Sequence, residues 1–359
     1  MATIDHSELP TFDELPTFKN FNGCAWGVWG PDDQLGTVNL LTEEVVKHAA
    51  QEEIRTGKTV CLNWPINFPS KPVFGRKIPH IESRNKGDPA VNDDEIYLNT
   101  QSGSQWDGLK HFGIREHLMF YNNTSDASMP KGHFEMHDPN NLDPQVLNLG
   151  IHNWAQHGIC GRGILLDMVK YFTDIEGSLP YDPWTSHAIT VTDLEACAQT
   201  EGVEFRTGDI LLLRVGFIQK YYQVSQEQRD GLRGGKEKEK FAGIEQSDDM
   251  KRFLWNNHFA AVASDQPALE RWPPVEGKPH MHQVSYTHLW GMPIGEFFDL
   301  EALSKACAEL GRYTFFFSSW PLNSLGGIAS PPNAAVSDAF RPKCATCLIL
   351  HVGIPMIAI

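Results

Sequence analysis

The chain has 359 residues, 41% of them apolar and 21% charged, the balance of a soluble globular protein long enough for one large domain or two modest ones. Thirty Lys and Arg against 45 Asp and Glu leave a net charge of −15. A surface of that sign repels nucleic-acid phosphate, and no basic stripe with interleaved aromatics offsets it, so DNA and RNA are set aside as partners.

No run of about 18 apolar residues is present to span a membrane, and Met1 to His6 have neither a cationic nor an apolar region, so no secretory signal is expected. The seven cysteines, Cys24, Cys61, Cys160, Cys197, Cys307, Cys344 and Cys347, are odd in number and scattered. That usage fits a reducing, cytoplasmic location. Cys344-Ala345-Thr346-Cys347 has the spacing of a redox or zinc pair. With no second pair, and with the apolar run Cys347 to Val352 reading as a strand, it is taken as structural.

In chain order, Thr42 to Thr56 has helical periodicity and opens on Thr42-Glu43-Glu44, an N-cap followed by acidic first-turn residues. Gly57 stops it, and Thr59 to Pro65 reads as a strand. Phe68 to Asp94, rich in Pro, Gly and charge, predicts a long loop of the kind that forms a lid or wall of a site. Gly163 to Val169 is a short buried strand. Val191 to Gly202 is a helix, with Thr192 and Glu195 spaced as a capping box. Gly208 to Val215 is another apolar strand, and Asp230 to Lys240, mixed in sign, is a solvated excursion. Asp248 to His258 predicts a helix, Phe259 to Asp265 a strand, His282 to Leu289 a helix and Tyr313 to Ser319 a strand. Strands alternate with helices, and several neighbouring strands can pair antiparallel, which defines a mixed α/β fold. Without an internal repeat or a low-complexity linker, one domain is expected over 1–359, with an N-terminal extension and helix over 1–58 and the core over 59–359.

Two stretches carry chemistry. Gln101 to His111 reads Gln-Ser-Gly-Ser-Gln-Trp-Asp-Gly-Leu-Lys-His. If it is extended, residues 101, 103, 105 and 107 share one face, so Gln101, Gln105 and Asp107 converge and Gly103 adds no bulk between them. His111 follows a Gly-Leu-Lys turn that can fold it back to the same point. The alternative is a polar edge strand and turn. The second stretch runs from His282-Gln283-Val284-Ser285-Tyr286-Thr287-His288 to Gly291-Met292-Pro293-Ile294-Gly295-Glu296.

Together these stretches resemble the signatures of the cyclase/kynurenine formamidase family, His-x-Gly-Thr-His-x-Asp-x-Pro-x-His and a later helix-borne His followed by a Glu. The resemblance extends from about Gly27 to Ser330. It is similar in particular to the longer cyclase-like proteins of filamentous fungi, in which Ser-Gly-Ser-Gln-Trp-Asp-Gly replaces the histidine-rich form. It implies a swivelling β/β/α domain with a mixed sheet, a homodimer or higher homo-oligomer, and metal-dependent hydrolysis of a small cyclic or aryl amide, lactam or lactone. By the same resemblance, Asp107, His282 and Glu296 hold a divalent cation, zinc or manganese. His288 is the alternative to His282, because neither stands at the family's usual separation from Glu296. Gln101 and Gln105 replace the histidines of a second ion, and a neutral carboxamide is a weak ligand, so one cation is expected and no organic cofactor.

In this reading His111 is the general acid and base, and Gln101 and Gln105 hydrogen-bond the attacking water or the developing oxyanion. Trp106, Phe112, Tyr121 and Trp29 are candidates to wall an aromatic substrate, with Trp26 and Gln34 approaching from the N-terminal extension. Asp265 and His258 flank an apolar strand, and Asp265 either orients a catalytic histidine or caps the following turn. His133 and His137 are four apart, but flanking Pro and Gly oppose a metal-binding helix. A second reading is a cyclase, dehydratase or isomerase of secondary metabolism that works without metal, the glutamines acting by positioning and polarisation. A third is a non-catalytic small-molecule binder. A Gly-x-Ser-x-Gly elbow, a Walker loop and a dinucleotide fingerprint are all missing from the sequence.

Overall fold

The computed structural model describes residues 9–234, 239–277, 280–284 and 286–338. Cys344, Cys347 and the run after them lie outside these, as do four residues of the charged stretch Asp230 to Lys240. Nine strands form one mixed sheet in the order Lys58–Cys61, Ala334–Asp338, Thr314–Ser319, Ile159–Asp167, Ile210–Arg214, Ala261–Ser264, Ile294–Glu296, Gln105–Asp107, Ala329–Ser330. The four from Ile159–Asp167 to Ile294–Glu296 are mutually parallel, and the flanking strands join them antiparallel. Parallel neighbours require crossovers. Helices Met168–Glu176 and Val191–Glu201 make the first, and Phe217–Gln223 and Asp248–Asn256 lie in the second. The near-continuous apolar runs of these strands follow from burial on both faces: every residue of Ile159–Asp167 and of Ile210–Arg214 is buried.

Local chemistry sets most element ends. Thr42 accepts from the Val45 amide and starts the helix Glu43–Glu53. The capping box of Val191–Glu201 is formed by Thr190 and Asp193, not by Thr192 and Glu195. Both pairs have the right spacing. The parallel bridge of Ala188–Ile189 to Gly243–Ile244 keeps the chain extended up to Thr190, so the first residue free to cap is that one.

Within Phe68 to Asp94 the structure differs from the expected loop. His80–Asn85 pairs antiparallel with Asn92–Tyr97 in a hairpin exposed along its whole length. Its strands carry few β-formers, and cross-strand pairs such as Arg84–Glu95 and Lys86–Asp93 stand in for an apolar face. His282 to Leu289 also departs from a single helix: Met281–Val284 is one α-turn, and Tyr286–Trp290 is a π-turn.

The N-terminal extension braces that π-turn. Trp26 Nε1 donates to the His288 carbonyl at 2.6 Å, the Ala25 amide to Leu289 at 2.9 Å and Trp290 Nε1 to Gly23 at 2.8 Å. Among the described residues, no helix is long and apolar enough to cross a membrane.

Candidate active site

The sheet register builds the site. Glu296 is the last residue of its strand and lies opposite Gln105 across an antiparallel pair, with Gly295 opposite Trp106 and Ile294 opposite Asp107. Gln105 and Asp107, two apart, share a face, while Trp106 points to the core. Gly295 is demanded by packing: a Cβ there would stand 2.4 Å from the Ala263 methyl and 2.6 Å from the Phe298 ring. Strand geometry covers only Gln105–Asp107; residues 101–104 turn, and at Gly103 a Cβ would lie 2.6 Å from the Phe68 carbonyl. The turn still brings Gln101 onto Asp107.

Asp107, Glu296 and His282 are buried and offer ligand atoms all within 4.8 Å of one another. The two glutamine amides knit the carboxylates together. Gln101 Nε2 donates to Asp107 Oδ1 at 2.8 Å, and Gln105 Nε2 bridges Asp107 Oδ1 at 3.2 Å and Glu296 Oε2 at 2.6 Å. Turning the Gln105 amide over would aim its oxygen at two carboxylates, so the assigned orientation is the favourable one. Among the described residues, Asp107 Oδ2 and Gln105 Oε1 are buried with no hydrogen-bond partner.

His282 lies between two acids. Its Nδ1 meets Glu270 Oε1 at 2.7 Å and its Nε2 meets Glu296 Oε1 at 3.0 Å, with Asp107 Oδ2 at 3.9 Å. Burial disfavours the charged ring, but the bonds to Glu270 and Glu296 outweigh it and hold the proton well above the usual imidazole range. Glu270 is a participant that sequence reasoning missed. Fully buried, it also accepts from the backbone amides of Met281 and His282, both at 2.9 Å, and from Gln246 Nε2 at 2.6 Å. Such a carboxylate fixes the ring and its tautomer, leaving Nε2 for a metal. Burial first, and then the Asp107 charge, push the Glu296 carboxyl up to about 7.

The structure does not bring every candidate here. His111 does come: its Nε2 is 3.8 Å from Asp107 Oδ2, its side chain is 19% exposed, and burial pulls its pKa below the ordinary imidazole value. Phe112 packs beside His111, His280, His282 and His288. His288 has its Nδ1 on the His282 carbonyl at 2.8 Å, is fully buried with its pKa depressed to about 3 by burial, and is outside the ligand triad.

Three of the proposed aromatic walls belong elsewhere. Trp106 is buried between Phe298 and Phe317 with Nε1 on Ser319 Oγ. Tyr121 is buried with its hydroxyl on Asp33, and Trp29 stacks edge-on to Trp255. His258 also lies against Trp255. Asp265 accepts from the Val215 and Gly216 amides at 2.6 and 2.8 Å, so it caps a turn instead of orienting a histidine. Gln34 bonds Asn148 and the Leu149 amide. His133 and His137 are exposed beside Glu135.

Three buried acids share one imidazole ring here, and among the described residues Asp107 Oδ2 has no hydrogen-bond partner. Two carboxylates and an imidazole are a donor set that zinc and manganese accept, so these residues fit a divalent cation.

Residues 60–271 match a family model described as a putative cyclase. The chain belongs to that cyclase family. A crystal structure described as a novel cyclase aligns with a TM-score of 0.71 at 31% identity, covering 88% of this chain and 99% of that one. Isatin hydrolase A from Labrenzia aggregata, bound to benzyl benzoate, aligns with a TM-score of 0.51 at 14% identity over 82% of this chain and 97% of that one. An isatin hydrolase bound to the product analogue thioisatinate gives 0.50 and 14% over 78% and 91%. At that identity the two hydrolases share the fold with this chain. No curated protein sequence matches it.

Proposed function

We propose that this protein is a hydrolase that uses one divalent cation, zinc or manganese, to cleave a small cyclic or aryl amide, lactam or lactone. The observation that carries the reading is the buried convergence of Asp107, His282 and Glu296, with Asp107 Oδ2 left without a partner. The bound cation supplies Lewis acidity, polarising a carbonyl and lowering the pKa of water.

The chain's own groups do the rest. Gln101 and Gln105 occupy Asp107 Oδ1 and so turn Oδ2 to the ligand position. Glu270, 2.7 Å from Nδ1, orients the His282 ring so that Nε2 faces Glu296. His111, close to neutral imidazole in character because burial depresses its pKa, takes a proton from the attacking water. The water oxygen bonds to the carbonyl carbon, the C–N or C–O bond breaks, and His111 returns the proton to the leaving group. Gln105 Oε1 accepts the water's other hydrogen, the first of the two roles expected of it, since its N–H groups serve the carboxylates. His111→Ala should lower turnover by about 100-fold or more, measured by steady-state kinetics.

One observation favours a metal-free cyclase, dehydratase or isomerase: the His282 imidazolium already sits between Glu270 and Glu296 as an internal cation. Elemental mass spectrometry on untagged protein, wild type beside Asp107→Ala, separates the two. About one zinc or manganese per chain, lost in the variant, supports the hydrolase. Active protein without stoichiometric metal sinks that mechanism and leaves His111 and the glutamines to act alone.

A further inference from the structure

Arg76 is held differently from the arginines that pair with acids. Arg162, Arg206, Arg214, Arg252 and Arg312 each grip a carboxylate. Half-buried Arg76 has no ion-pair partner among the described residues. One N–H, on Nη1, donates to the Gln101 carbonyl at 2.7 Å, and the guanidinium lies 5.1 Å from the Phe74 ring centroid. Gln101 in turn donates its side chain to Asp107, so Arg76 stands one residue away from the buried acids. The segment that carries it packs on the 101–105 turn, where the Phe68 carbonyl meets Gly103.

Three buried carboxylates make this pocket hostile to an anion. A guanidinium with unused donors at its border reverses that, because its planar fork matches a carboxylate in two parallel bonds. Within the site, Phe112 lies against the His111 and His282 rings and offers an aromatic face. We propose that Arg76 is the anion-recognising residue of this site and that its ligand is the carboxylate of an aromatic molecule. The carboxylate is either carried by the substrate or formed when water adds to the cleaved carbonyl. The identity of the reaction rests on the hydrolase reading above; the ligand class rests on Arg76.

The test is calorimetric titration of benzoate and benzamide into manganese-treated full-length wild type, Arg76→Gln and Arg76→Lys, with folding checked by circular dichroism. Wild type should favour benzoate by about tenfold or more, Arg76→Gln should lose the preference, and Arg76→Lys, which keeps the charge without the fork, should fall between. A benzoate preference that survives in Arg76→Gln overturns the inference.

Formanilide and 4-formamidobenzoate, a neutral and a charged aryl amide, locate the carboxylate. A KM increase in Arg76→Gln confined to the charged amide puts it on the substrate. Unchanged KM with weakened inhibition by benzoate puts it on the product. Metal content of the same samples separates the two proposals. Arg76-dependent benzoate binding in protein that holds no metal leaves this inference standing and removes the hydrolase. One ion per chain with Arg76-independent binding does the reverse.

Discussion

Two buried charge clusters lie at the carboxyl ends of parallel strands in this sheet, and they are built on opposite terms. In one, Arg214 forks onto Glu301 through Nε and Nη2 at 2.8 and 2.9 Å and reaches Asp167 Oδ1 through Nη1 at 2.8 Å, while Ser304 donates to the other Asp167 oxygen. Every oxygen of Asp167 and Glu301 has a donor. In the other, Asp107, Glu296 and Glu270 share one imidazolium and the carboxamides of Gln101, Gln105 and Gln246, and among the described residues Asp107 Oδ2 has no donor. The first cluster is closed by its own residues and holds the fold. The second leaves one acid oxygen open, as a candidate cation site would.

Breaking each cluster should have opposite consequences. Arg214→Met strands Asp167 and Glu301 without a counter-charge and should cost about 3–5 kcal/mol, measured by urea denaturation. Glu296→Gln relieves the repulsion with Asp107, so chelator-treated protein should keep its stability to within about 1 kcal/mol or gain some. A large loss there would mean that the site is a structural ion pair and not a metal position.

Glu270→Gln sharpens the contrast within the site. A carboxamide cannot hold the His282 ring as the carboxylate does, so affinity for zinc in a chelator competition should fall by about 10–100-fold. Unchanged affinity would remove Glu270 from the metal-binding arrangement.

The smallest effect lies at the edge of the first cluster, where Glu201 accepts from the Asp167 amide at 3.1 Å. Burial pushes the Glu201 carboxyl up to about 8 from an ordinary 4.5. Between those values the folded chain binds more protons than the unfolded one, so this group's contribution is complete below the lower value and declines as pH rises towards the upper. Glu201→Gln should flatten that part of the stability–pH curve in denaturation series from pH 5 to 8, and an unchanged curve would refute the assignment.

Much of the site could be read from local sequence. The alternation of Gln105 and Asp107 about Trp106 requires only strand periodicity, and Thr42 as a helix cap requires only the preferences of the first turn. The alternation of apolar strand runs with helical periodicity sufficed for a mixed α/β fold. The hairpin at His80–Asn85 escaped because its pairing is carried by charged neighbours and not by an apolar stripe.

Other features had no local signal at all. Nothing near Glu270 in the chain marks it; its partner His282 is twelve residues on, brought there by the turn into Met281–Val284. His282 and His288 differ little as sequence, and the choice between them falls to Glu270, which holds one ring, and to the π-turn, which ties the other to a backbone carbonyl. Arg76 meets Gln101 across 25 residues that include the hairpin. The sequence by itself determined which chemical groups were available and which faces of each strand they shared, because those depend on side-chain period and capping. Which acid supports which histidine, which aromatic is core, and which cation borders the pocket were decided by the tertiary structure, because each depends on contacts between segments that only packing brings together.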